Sequence, residues 1–259
     1  MTPGIRLGLA ALAVAALLAG GAQAGETLDA VKARGVLRVG STGDYKPFTF
    51  RRADGSFYGA DIDMAQRLAA RLGVKLEIVP TVWATMTQDF TERKFDVAMG
   101  GITVLPARSA IGSFSAVTYV DGKRPVARCT DRERYTSIAA IDRPEVRVIV
   151  NPGAANEQFA RANFSHAAVT VHKDNATVFD EIVAGRADVM VTDGIEADHQ
   201  AVVHKELCPT DVPAPFTRLE KAYWMPKDPE LLAAVDSWLA DEKASGGWGR
   251  TLQAAQREP

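Results

Sequence analysis

The sequence predicts an α/β protein of two lobes, each a mainly parallel sheet flanked by helices, closing like a clamshell on one small-molecule cleft. Three observations predict it: an apolar leader, two successive series of short β-rich runs alternating with helical patterns, and polar clusters just after the strands.

The leader has one cation at Arg6, an apolar run LGLAALAVAALLAGG from Leu7 to Gly21, and Ala22-Gln23-Ala24. This pattern reads as a signal peptide over residues 1–24 with an A-x-A cleavage site. The run is shorter than the roughly 20 apolar residues that span a bilayer, which sets a membrane anchor aside. No cysteine stands at the cleavage site to carry a lipid. The mature chain is expected to be soluble and periplasmic, with no membrane partner.

Residues 36–41 read as the first strand, behind a short helix that Gly35 ends. Asp61 can cap a helix with the apolar stripe Met64, Ala65, Leu68 and Leu72, stopped by Gly73. Strands follow at 75–79 and 95–99, with a short helix between them. A second series near Arg124 has strands at 125–129, 146–150, 169–172 and 187–191, and helices at 156–163, 175–184 and 194–203. After Pro213 and Pro215, a strand at 222–225 precedes a helix at 230–243 with Leu232, Val235 and Leu239 on one face. That tail is expected to return to the first lobe, so lobe one is 25–123 plus 219–259 and lobe two is 124–218.

Lys and Arg total 30 against 32 Asp and Glu, a net charge of −2. No face is polybasic, which argues against nucleic acid or anionic lipid and leaves a small molecule as the partner. The sequence leaves room for a homo-oligomer. Cys129 and Cys208 are an isolated pair in an exported chain and are expected to be bonded, two buried free thiols being the alternative. Neither CxxC nor HExxH occurs, and His166, His172, His199 and His204 lack ligand spacing, so no metal site is expected. No phosphate-binding loop or dinucleotide fingerprint occurs, so no cofactor is expected either.

Open parallel sheets bind ligands beyond the carboxyl ends of their strands. Asp44, Tyr45 and Lys46 follow the first strand, and Trp83, which can stack on a ring or belong to the core, follows another. Gly100-Gly101 should let backbone N–H groups approach a ligand, with Thr103 and the planar fork of Arg108 completing a carboxylate clamp. The turn Asn151-Pro152-Gly153-Ala154-Ala155-Asn156 opens a helix whose N–H groups can hold an anion or serve as an ordinary turn. Asp193 and Glu196 stand at the N-cap and N3 positions of the next helix. The plain interpretation is a capping box variant; the sharper one is a cleft acid, with burial and Asp193 raising the Glu196 pKa and the helix terminus lowering it.

The string GGITVLPAR, followed by Phe114-Ser115, resembles the polar amino-acid solute-binding proteins of the type II periplasmic-binding fold. In that family Gly101, Thr103 and Arg108 would hold an α-carboxylate and Asp193 an ammonium. The strings STGDYKPF, DIDMAQRLA, IVNPGAANEQFARAN, VTDGIEA and EKAY, with both cysteines, more narrowly resemble the cyclohexadienyl dehydratases within it. This likeness implies a lyase for decarboxylative dehydration of prephenate to phenylpyruvate and of L-arogenate to L-phenylalanine, with Glu196 as general acid. It implies Thr103, Arg108, Asn151 and Asn156 as anchors and Asp193 as partner of the arogenate ammonium. Two departures stand out: Val117-Thr118 where Pro-Tyr is usual, and Ala154-Ala155 where Gly-Thr is commoner, which removes a hydroxyl. They keep a second expectation open, a non-catalytic receptor delivering an amino acid or carboxylate to an ABC permease.

Overall fold

A computed structural model describes residues 26–153 and 155–257 of the protein. The signal segment 1–24 and the departure at Ala154 lie outside the described residues.

Val36–Ser41 is the second strand of the first sheet, parallel to its neighbours Lys75–Pro80 and Val97–Ala98. The chain comes back to this sheet at Trp224–Met225, which runs antiparallel to Val97–Ala98 and to the edge strand Ser113–Phe114. In the second sheet Arg147–Val150 lies parallel to Ala168–Val171 and Val189–Asp193. Lys123–Arg128 runs antiparallel beside Val189–Asp193, and Leu207–Pro209 antiparallel beside Lys123–Arg128. Each sheet is therefore mixed but mainly parallel, with a single strand running against the rest: Trp224–Met225 in the first and Lys123–Arg128 in the second. Each reversed strand follows a segment that passes from one sheet to the other, where no crossover helix imposes a parallel direction.

The second sheet is apolar on both faces, as a covered sheet must be. Val148, Val150, Val189 and Val191 pack into one cluster, and the alternate residues Ile149 and Met190 into another with Phe179 and Ile182. In the first lobe the helix Ala60–Leu72 sends Met64, Ala65 and Leu68 into a cluster with Leu37 and Val39 of the strand Val36–Ser41, all wholly buried. Gly73 ends that helix in the left-handed region at φ 71°. Gly59, not Asp61, is its N-cap.

Other bounds shift. The helix expected at 175–184 is confined to Val178–Val183, and the strand expected at 222–225 is confined to Trp224–Met225, with a separate strand Leu219–Lys221 before it. A small sheet of Asp44–Tyr45, Thr49–Arg51 and Phe57–Tyr58 and a final helix Gly247–Gln256 were not anticipated. Cys129 and Cys208 are disulfide-bonded, with Cα atoms 4.8 Å apart and a sequence separation of 79. On the chain-entropy account, closing so long a loop contributes about 4 kcal/mol.

Candidate active site

Two strand pairings build the base of the cleft. Lys123 lies directly opposite Asp193 in the antiparallel ladder, and Lys221 lies opposite Thr103 in an isolated bridge. Both lysines are buried, and both reach Asp193: Lys123 Nζ is 2.7 Å from Oδ1 and Lys221 Nζ is 2.5 Å from Oδ2. The Tyr45 hydroxyl also donates to Oδ2, at 2.5 Å. Burial alone would raise the Asp193 pKa, but Lys221 and Lys123 outweigh it and hold the carboxylate far below its usual range. Asp193 thus accepts three hydrogen bonds and pairs with two cations, so a ligand ammonium would have to compete with Lys123 and Lys221 for it. Neither lysine was foreseen.

Nor is Asp193 the side-chain cap of the helix Gly194–Val203. That role falls to Asp121, whose carboxylate accepts from the N–H groups of Gly194 at 3.1 Å and Ile195 at 2.9 Å. The capping-box interpretation therefore fails, and Glu196 is released from it. Glu196 is buried at the cleft and accepts a hydrogen bond from the Thr192 hydroxyl. Burial is the largest influence on it and raises its pKa; the Thr192 bond and Lys123 lower it, Asp193 and Asp44 raise it, and it stands at about 7. A carboxyl so poised can carry a proton near neutral pH.

Arg108, 5% exposed, also lines the cleft. One guanidinium nitrogen donates to the Thr103 carbonyl at 3.1 Å, and among the described residues no carboxylate forms an ion pair with it. Burial lowers its pKa to about 10, which leaves it charged. An unpaired buried cation calls for an anion. The Thr103 hydroxyl accepts from Lys221 at 2.8 Å. Gly101 lines the same cleft, but its N–H and that of Gly100 donate to Asp61, at 2.7 and 2.9 Å. This corrects two expectations, that these amides face a ligand and that Asp61 caps a helix. Gly101 sits at φ 68°, where a Cβ would come within 2.5 Å of the Tyr45 ring.

Across the cleft, the Asn156 amide donates to Asn151 Oδ1 at 3.0 Å and Thr192 Oγ1 at 3.1 Å, and its oxygen accepts from Lys123. Asn151 and Ala155 line the cleft beside it. Gly153 N–H is taken by Glu157 at 2.6 Å, so this amide of the turn is not open to a bound anion. Trp83 lines the opposite wall, its Nε1 donating to Asp44 at 2.9 Å and its ring edge-on to Tyr45. Asp44 and Lys46 do not line this cleft; they face a separate pocket behind Glu196. At the departure after Ser115, Thr118 gives its N–H and hydroxyl to the Lys221 carbonyl, at 2.7 and 3.0 Å, steadying the strand that carries that lysine.

The sequence pattern of the bacterial extracellular solute-binding proteins, family 3, matches residues 37–254. A cyclohexadienyl dehydratase of Pseudomonas aeruginosa is 48% identical over 91% of this chain and 89% of its own length. An L-cystine-binding protein of Escherichia coli is 30% identical over 88% of this chain and 83% of its own. Among solved structures, an ancestral amino acid-binding protein described as a precursor of cyclohexadienyl dehydratase superposes with a TM-score of 0.82 at 35% identity, covering 89% of this chain and 99% of that one.

Proposed function

The chain belongs to the bacterial extracellular solute-binding proteins, family 3, and we propose that its ligand cleft is the active site of a carbon–oxygen lyase. The reaction is decarboxylative dehydration of prephenate to phenylpyruvate and, by the same steps, of L-arogenate to L-phenylalanine, carried out in the periplasm. The 48% identity to a cyclohexadienyl dehydratase supports the activity.

The charge in the cleft carries the substrate assignment. Its wall holds the cations Arg108, Lys123 and Lys221 and the carboxyls Asp193 and Glu196. With Asp193 ionised and Glu196 protonated, the cations exceed the anions by two, which suits a dicarboxylate. Arg108 takes the side-chain carboxylate, with Thr103 and Asn151 beside it. Glu196 gives its proton to the ring hydroxyl, and the C–O bond breaks with its electron pair leaving on water. The bond from the ring to its carboxylate then breaks, its pair enters the ring, and CO2 departs. Aromatisation drives both cleavages, and the poorly solvated cleft favours loss of the carboxylate charge.

A receptor for an amino acid is the second reading, and the amino-acid-binding relatives favour it. Such a receptor needs a free carboxylate for the ammonium, and Asp193 is occupied by two lysines and a tyrosine. The deciding experiment follows phenylpyruvate absorbance after purified mature protein meets prephenate, beside calorimetric titration with amino acids. Turnover supports the lyase; no turnover together with micromolar amino-acid binding refutes it.

A further inference from the structure

The proposed reaction, on which the following inference rests, consumes a proton. The prephenate dianion plus one proton gives the phenylpyruvate monoanion, CO2 and water, so Glu196 must be reprotonated once per turnover. Substrate held against Arg108 and Trp83 occupies the cleft side of Glu196. A second pocket reaches Glu196 from behind. Glu196 and Asn175 line both cavities, and the Asn175 amide, donating to the Asp44 carbonyl at 3.0 Å, helps divide them.

His199 faces this outer pocket three residues beyond Glu196, the spacing that puts two side chains on one face of a helix. It is 6% exposed, whereas Val203 on the same pocket is 45% exposed, so the pocket leads from a buried imidazole outward to solvent. We propose that His199 relays protons from solvent to Glu196 through the outer pocket, renewing the acid while the cleft holds its ligand. His199 touches no reacting atom and acts through Glu196.

The charged surroundings suit a relay. Lys46 and Asp44 face the pocket from the first lobe, Asp180 from the helix Val178–Val183, and His204 from the end of the histidine's own helix. Burial first, then Lys46 and His204, draws the His199 pKa down to about 4. The ring rests neutral, able to accept a proton on one nitrogen and release one from the other, and passage from its imidazolium to the Glu196 carboxylate runs downhill.

The test is steady-state prephenate turnover at pH 7 by the parent, H199A and H199Q, with and without imidazole, alongside thermal midpoints. Because water can partly substitute for a relay group, kcat should fall about tenfold in both variants with KM within about twofold. Imidazole should restore kcat saturably in H199A, which has room for it, and not in H199Q. An active parent with variants of equal kcat overturns the relay alone, as does a loss in H199A that imidazole leaves unmoved. An inactive parent overturns the relay and the lyase reading together.

Discussion

Lys123 and Asp193 face each other across an antiparallel ladder, Nζ 2.7 Å from Oδ1, with side chains only 1% and 6% exposed. The register of the second sheet thus sets the central charge of the cleft. Lys221 closes on the same carboxylate from the strand Leu219–Lys221, so one aspartate ties together residues 28 and 70 positions away in the chain.

Removing that carboxylate leaves two buried lysines without a counter-charge. Asp193→Asn is expected to lower the unfolding free energy by about 3 kcal/mol, the scale for breaking a buried pair by deleting one partner. Denaturant unfolding at pH 7 measures it. Because the folded carboxylate is depressed below its ordinary 3.8, its contribution is complete above that value and is lost as pH falls below it. The parent should lose stability more steeply than D193N on acidification through pH 4; equal slopes would count against the assignment.

Glu196 sets the pH dependence of turnover. A general acid works only when protonated, and this carboxyl is raised from 4.5 to about 7. The kcat should therefore be level below pH 7 and fall about tenfold per pH unit above it. The same shift makes its share of stability greatest below pH 4.5 and lost as pH rises through 7. A kcat profile that stays flat to pH 9 would show that another group donates the proton.

Arg108 presents a planar fork that an ammonium cannot reproduce. Arg108→Lys is expected to raise KM for prephenate about twentyfold, within the 1.5–3 kcal/mol range of charged hydrogen bonds, and to change kcat less. Steady-state kinetics separates the two. An unchanged KM would move the carboxylate anchor elsewhere in the cleft.

Prephenate and arogenate differ in one charged group, a keto oxygen against an ammonium. With Asp193 compensated by two lysines and Glu196 neutral, the cleft offers the ammonium no uncompensated carboxylate. The ratio kcat/KM should favour prephenate by about tenfold or more, the equivalent of one unpaired charged contact. Arogenate used equally well would mean that the lysines release Asp193 when ligand enters.

The succession of strands and helices, the helix bearing Glu196 and the cleft position of Arg108 were legible because β-rich runs and helical patterns record local structure directly. The long-range charges were not. Lysine in a short strand ordinarily reads as a solvent-facing residue, and only the register opposite Asp193 shows Lys123 to be buried. Local spacing likewise made Asp193 a helix cap, although Asp121, 73 positions from Gly194, performs that task. The Gly100 and Gly101 amides looked open to ligand because their partner Asp61 lies 39 and 40 positions away. In each case a distant residue met a demand that local pattern had assigned to a neighbour.

The most direct measurement compares initial rates of phenylpyruvate formation from prephenate by the parent and Glu196→Gln, with calorimetric binding confirming that both hold the substrate. The account expects turnover by the parent and a loss of about 10²–10³ in kcat in the variant, with affinity kept within a few-fold. Equal rates in the two proteins would contradict it.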